Sequence, residues 1–236
     1  MVFERYDSRF EAGTRLAKEI EDKNKLLYQK LKENPSNFFC FAIPNGGVPV
    51  AEGFCSKFNL KYELLIVRKI KIPYNPEAGF GSITTDGTVL LNKNLLRRIN
   101  LTDDQIQKAI ETTKREILER LKYYEKKGDI NGQYEALIKN HQIFMIDDGL
   151  ASGFTMKAAI KMVKKYDPEK IYVSVPTSPL STVKRILPGI NEVFCPNIRE
   201  VFRFAVADAY KNWYDLSEDQ VRQIIKKSKN YFKETT

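Results

Sequence analysis

An α/β fold is predicted, with a mostly parallel central sheet flanked by helices, a hairpin flap and a long inserted helix. Three observations carry the prediction. Short apolar runs alternate with amphipathic segments along the chain, the pattern of strand–helix–strand units whose crossovers make neighbouring strands parallel. Two of the apolar runs end in glycine-bearing loops directly before a helical segment, where parallel sheets place their ligands. Asp86-Gly87 lies between two β-like runs, a strong hairpin signal.

The elements follow in order. Residues 7–31 carry Phe10, Leu16, Ile20 and Leu27 at helical spacing and predict one amphipathic helix. Residues 37–43 are a short apolar run rich in aromatics, read as a buried strand, and end in Pro44-Asn45-Gly46-Gly47 before a helix over 48–58. Leu64-Leu65-Ile66-Val67 predicts a second strand, and residues 78–84 and 88–91 predict the hairpin. Thr102 with Gln105 three residues on is a capping-box start. It opens a long helix with Ile106, Ile110, Ile117, Leu121 and Tyr124 on one stripe, running to about Gly128. A third strand over 142–146 stops at Asp147-Asp148, with its helix over 154–166. Residues 171–175 predict a fourth strand, 180–186 a helix, 192–195 a last strand, and a final helix begins near Ser217. Residues 1–236 are expected to form one domain, with the flap and long helix, about residues 70–130, inserted in its core.

Bulk properties narrow the function classes. With 42% hydrophobic and 29% charged residues, the chain can bury a core without disulfides. Cys40, Cys55 and Cys195 are far apart and odd in number, so neither a disulfide framework nor a metal cluster is expected. That fits a reducing, cytoplasmic setting. No apolar run approaches a membrane span, and no signal core follows Met1. The net charge of +9 is compatible with nucleic acid or with phosphorylated small molecules. Much of it sits on helical faces, such as Lys161, Lys164 and Lys165, so a solvated lysine-rich surface is the simpler reading.

The chemistry concentrates after the third strand. Ile146 delivers two adjacent carboxylates, Asp147 and Asp148, and Gly149-Leu150-Ala151-Ser152-Gly153-Phe154-Thr155 follows directly before a helix. Glycines let backbone approach a ligand, and a helix N-terminus favours an anion. Ser152 and Thr155 add hydroxyl donors. A phosphate cradle beside two strong acceptors suits a phosphorylated sugar. The stretch resembles the phosphoribosyl-diphosphate motif of type I phosphoribosyltransferases: apolar strand, two acids, a spacer, Thr or Ser, Gly, any residue, Thr or Ser. The resemblance implies ribose contacts for Asp147 and Asp148 and 5-phosphate contacts for Gly149 and for Ala151, Ser152, Gly153, Phe154 and Thr155. It also implies magnesium, held by Asp147 and Asp148 directly or through water.

Two further runs resemble an uncharacterised phosphoribosyltransferase subgroup. Pro44-Asn45-Gly46-Gly47-Val48-Pro49-Val50-Ala51 matches its Pro-Arg-Gly-Gly-Val-Pro-Val-Ala run, except that Asn45 stands where the subgroup has arginine. The resemblance implies diphosphate binding by Asn45, Gly46 and Gly47, with one cation fewer. Arg68-Lys69, followed by Pro73, is similar to the subgroup's Arg-Lys…Pro run and implies a cationic clamp on the leaving diphosphate. Asn75-Pro76-Glu77-Ala78-Gly79-Phe80-Gly81 also fits, as part of a mobile flap. Arg9 to Gly13 and Trp213 to Val221 look like the subgroup's ends.

The implied activity is transfer of phosphoribose from 5-phosphoribosyl 1-diphosphate to a nitrogen acceptor, with a nucleobase expected, by a homodimer outside any membrane. Ala151 stands where hypoxanthine-guanine enzymes carry an acid, which argues against that acceptor. Glu77 is a candidate proton carrier, and Phe80, Pro176 and Tyr210 are candidates for a base pocket, though each also reads as surface or core. His141 lacks partners at ligand spacing and reads as structural. The alternative is a non-catalytic regulator that senses phosphoribosyl diphosphate and binds nucleic acid.

Overall fold

The run at residues 38–42 is buried on both faces, and the rest of the core is built around it. The computed structural model describes residues 3–126 and 130–233. Helices α1 (Arg9–Lys23) and α2 (Lys25–Glu33) lead into strand β1 (Phe38–Ala42), helix α3 (Gly47–Phe58) and strand β2 (Tyr62–Leu64). An antiparallel flap follows: β3 (Val67–Ile72), β4 (Asn75–Thr84) and β5 (Val89–Leu91), then α4 (Lys93–Leu96), α5 (Asp103–Tyr123) and α6 (Ile130–Ile138). The core resumes with β6 (Gln142–Ile146), α7 (Phe154–Val163), β7 (Lys170–Ser174), β8 (Thr177–Pro179), α8 (Leu180–Ile186), β9 (Glu192–Phe194), β10 (Asn197–Arg199) and α9 (Glu218–Lys227).

The central sheet has the order β2-β1-β6-β7-β9 and every pair in it is parallel. Alternation along β1 divides the core. Phe38, Cys40 and Ala42 pack with α1, α2 and α3, whereas Phe39, Phe41 and Ile43 pack with α6 and α7. Two-sided burial is why these strands read as continuous apolar runs. Ala42 pairs with Ile146, so β1 and β6 end level. The loop at 44–47 and the acids at 147–148 therefore emerge side by side.

Several expectations shift. The predicted helix over 7–31 is broken at Asn24, whose side chain caps α2 by accepting from the Leu27 N–H at 3.1 Å. The second strand ends at Leu64, and Val67 begins a new strand in the flap. Arg68 and Lys69 thus lie inside β3, not at the carboxyl end of a core strand. The alternation explains it: Ile70 and Ile72 are buried while Lys69 and Lys71 face solvent, which makes a half-buried antiparallel strand. The Thr102 capping box forms, and α5 ends at Tyr123; Gly128 lies outside the described residues. Helix α6 and the small parallel pair β8–β10 were not expected. The hairpin turns at Gly87, whose φ is +81°. The three cysteines are free and buried, and among the described residues no helix is long and apolar enough to cross a membrane.

Candidate active site

Two loops meet above the ends of β1 and β6. The first, Pro44 to Gly47, holds a cis Pro44–Asn45 peptide and runs into the N-terminus of α3. Gly46 lies so close to the acidic pair that a Cβ there would sit 1.8 Å from Asp148 Oδ2. No other residue type allows that approach. Asn45 Nδ2 donates to the Leu216 carbonyl at 2.7 Å, while its buried Oδ1 has no partner among the described residues. Asn45 therefore ties the loop to the C-terminal segment.

The acidic pair is largely shielded. The Asp148 N–H donates to Asp147 Oδ1 at 2.8 Å. Burial pushes the Asp147 carboxyl well above the usual range, and the neighbouring Asp148 carboxylate pushes it further. Burial raises Asp148 too, opposed by the Arg9 guanidinium. Burial thus disfavours the charged form of both carboxyls, and sugar hydroxyls donating to them or a cation beside them would stabilise it.

Arg9 is the site residue that sequence reasoning missed, although the run it opens resembles the subgroup's. Its Nε donates to Asp148 Oδ2 at 2.9 Å and its Nη1 to the Tyr214 carbonyl at 3.0 Å. The guanidinium lies 4.1 Å from the centre of the Trp213 ring, within cation–π range. Tyr210 donates its hydroxyl to the Asp148 carbonyl at 2.7 Å. Together these make a clasp that fixes Asp148 from both ends of the chain. The crossing of α1 over α3, where a Cβ on Gly53 would meet the Phe10 carbonyl at 2.0 Å, brings Arg9 this close.

The second loop carries the phosphate cradle. Leu150 N–H donates to the Thr177 carbonyl at 3.0 Å. The carbonyls of Ala151 and Ser152 are taken by α8, through Thr182 Oγ1 at 2.7 Å and Arg185 Nη1 at 3.0 Å. Among the described residues, the amides of Ala151, Ser152 and Gly153 have no acceptor. Gly153 is left-handed at φ +72° and turns the chain into α7. Fixed carbonyls, open amides and a helix N-terminus together favour an anion.

Ser152, Phe154 and Thr155 line a cavity of about 600 Å³ between this loop and the flap, which also takes in Lys69. Asp147, Asp148 and the Asn45–Gly47 loop do not line it. The structure therefore gathers the predicted residues in two adjoining groups. Arg68 stands apart: it pairs with Glu116 of α5 at 3.0 Å, and its head is turned to the long helix. Phe80 is core, Glu77 is exposed and gives its carbonyl to Lys69, and Pro176 accepts from Tyr6. The His141 ring meets the carbonyl of nearby Lys139.

A family model described as the phosphoribosyl transferase domain matches residues 13–211. The chain belongs to the phosphoribosyl transferase domain family. Rv0571c and MT0597 of Mycobacterium tuberculosis (strains H37Rv and CDC 1551), each provisionally named a phosphoribosyl transferase, are 28% identical over 229 residues. That covers 97% of this chain and 48% of theirs, so the chain spans about half the length of these curated relatives. The crystal structure of TT1426 from Thermus thermophilus shares the fold, with a TM-score of 0.70, 24% identity, and 94% of this chain and 97% of that one covered. Both loops and the acidic pair lie within the phosphoribosyl transferase match. Arg9, Trp213 and Tyr214 lie just outside it and Tyr210 just inside, so most of the clasp on Asp148 comes from the flanks.

Proposed function

We propose that the chain binds 5-phosphoribosyl 1-diphosphate and transfers its phosphoribosyl group to a nitrogen acceptor, a nucleobase or a molecule like one, with release of diphosphate. The observation that carries this reading is the meeting of three features at the ends of β1 and β6. These are a shielded pair of carboxylates, an amide-lined phosphate loop that follows it directly, and a glycine loop pressed against Asp148. Asp147 and Asp148 accept hydrogen bonds from the ribose hydroxyls. The open amides of Ala151, Ser152 and Gly153, with the Ser152 and Thr155 hydroxyls, take the 5-phosphate. The Asn45-Gly46-Gly47 loop, at the N-terminus of α3, faces the diphosphate.

In the reaction the acceptor nitrogen bonds to ribose C1 as the C1–oxygen bond to diphosphate breaks, and the electron pair leaves with diphosphate. The transition state is oxocarbenium-like, so groups that meet growing charge on the leaving oxygens act more strongly there than in the ground state. Lys69, a long side chain on the flap, is the cation for that task. Arg9 acts earlier, by holding Asp148 in one orientation.

The donor set fits magnesium: oxygen ligands from two carboxylates, of which Asp148 is partly compensated by Arg9 and Asp147 pairs with no cation among the described residues, the rest left to substrate and water oxygens, as this ion prefers. Asp147 and Asp148 would hold it, and it would neutralise phosphate charge there. Incubation with phosphoribosyl diphosphate, magnesium and a panel of bases tests the activity. Base-dependent diphosphate release is expected, and release by water alone at the same rate would make the chain a hydrolase instead.

A further inference from the structure

The cavity beside the phosphate loop holds more positive charge than a single 5-phosphate requires. Besides Lys69, assigned above to the leaving diphosphate, Lys93, Lys157 and Arg185 line it with Asn92, Asn94 and the loop hydroxyls, and among the described residues no Asp or Glu does. Helix α7 shows how this arises. Lys161, four residues after Lys157, donates to the Val89 carbonyl at 2.9 Å, and Lys165, eight residues after it, pairs with Asp86 at 2.6 Å. Those two lysines bind the flap to α7. Lys157 is on the same face, one turn nearer the loop, and has no partner among the described residues; neither has Lys93. The flap is thus fastened at its turn and stands open over unpaired cations at the cavity.

The cavity begins at Ser152 and Thr155 and leaves out the acidic pair. A ligand whose ribose sits on Asp147 and Asp148, and whose first phosphate sits in the loop, would send any further phosphates past Thr155 towards Lys157 and Lys93. We propose that this cavity is a second anion site, contiguous with the first, which takes the terminal phosphates of a nucleoside 5′-triphosphate. Such a ligand would compete with phosphoribosyl diphosphate for the loop and act as an inhibitor. The sugar placement rests on the function proposed above; the anion site itself does not.

Calorimetric titration with ribose 5-phosphate, AMP, ATP and inorganic tripolyphosphate, on the wild-type chain and on Lys157→Gln with Lys93→Gln, tests this. ATP is expected to bind about tenfold tighter than AMP, about 1.4 kcal/mol, and to displace ribose 5-phosphate. The double variant should lose most of that advantage and of tripolyphosphate binding, with ribose 5-phosphate affinity kept within about threefold. Equal affinity for AMP and ATP, or an ATP advantage that survives both substitutions, overturns the second site while leaving the sugar-phosphate reading intact. Lysine-dependent tripolyphosphate binding without any ribose 5-phosphate binding has the opposite meaning: the anion site stands and the sugar-phosphate reading falls.

Discussion

Asp147→Asn and Asp148→Asn change neighbouring residues in the same way, yet their effects on stability should have opposite signs. Asp148 Oδ2 accepts from Arg9 Nε at 2.9 Å, with side-chain exposures of 15% and 6%. Burial raises the Asp148 carboxyl, so its charge is itself unfavourable, but replacing it leaves a buried guanidinium with less compensation. Loss of one partner of a buried pair costs about 3–5 kcal/mol. The Tyr214 carbonyl, the Trp213 ring and the remaining amide oxygen retain part of that, so a net loss of about 2 kcal/mol is expected. At about 2–4 °C per kcal/mol for a chain of this size, the melting temperature should fall by about 4–8 °C. Asp147 pairs with no cation among the described residues, and its Oδ1 contact to the Asp148 N–H survives as an amide oxygen. Its folded pKa is raised above the ordinary value of 3.8. The stability of the wild type is therefore favoured below that value and lost as pH rises through the folded pKa. Asp147→Asn should match the wild type near pH 4 and melt higher at pH 8, by a gain of about 1 kcal/mol. Both variants should bind phosphoribosyl diphosphate more weakly, by about 1–3 kcal/mol for a charged hydrogen bond. Thermal unfolding at pH 4, 6 and 8 with calorimetric binding measures all of this. A lower melting temperature for Asp147→Asn at pH 8, or an undisturbed one for Asp148→Asn, would refute the assignment of the clasp.

The same geometry sets three further outcomes. Gly46→Ala forces a methyl group into Asp148 Oδ2 and should cost about 1–3 kcal/mol in stability and at least about tenfold in phosphoribosyl-diphosphate affinity, read by calorimetry. Lys69→Ala should lower steady-state turnover at least about tenfold, about 1.4 kcal/mol in the barrier, whereas Arg68→Ala should change stability by no more than about 1 kcal/mol, because its pair with Glu116 is about one-third exposed. Arg9→Lys keeps the charge but loses the planar donor set; kcat should fall with KM for phosphoribosyl diphosphate rising no more than about threefold, and Arg9→Lys should recover more activity than Arg9→Ala.

The core strands and the phosphate loop are legible because local sequence determines them. The two-sided burial of β1 and β6 writes a continuous apolar run, and the residues from Asp147 to Thr155 carry their chemical types in one contiguous stretch, although distant residues hold them in place. What escapes depends on long-range contacts or on a pattern read at the wrong period. Arg9 meets Asp148 across 139 positions in the chain, and its signals are indirect: the resemblance of the run it opens to the subgroup's end, and its place at the start of an amphipathic helix, next to an exposed Phe10. The run from Val67 to Ile72 reads as the end of a core strand, although its alternating isoleucines and cations already describe a separate, half-exposed one. Asn24 inside a predicted helix is a cap hidden by the apolar stripe that continues across it. Asn45 faces the Leu216 carbonyl, a contact made by an irregular segment for which periodicity offers no forecast.

The most direct test of the account is calorimetric titration of the wild-type chain, Asp147→Asn and Asp148→Asn with phosphoribosyl diphosphate in magnesium. Saturable binding by the wild type is expected, at least about tenfold tighter than that of ribose 5-phosphate, and weakened in both variants. No binding by the folded wild-type chain, or equal affinity in all three proteins, would contradict it.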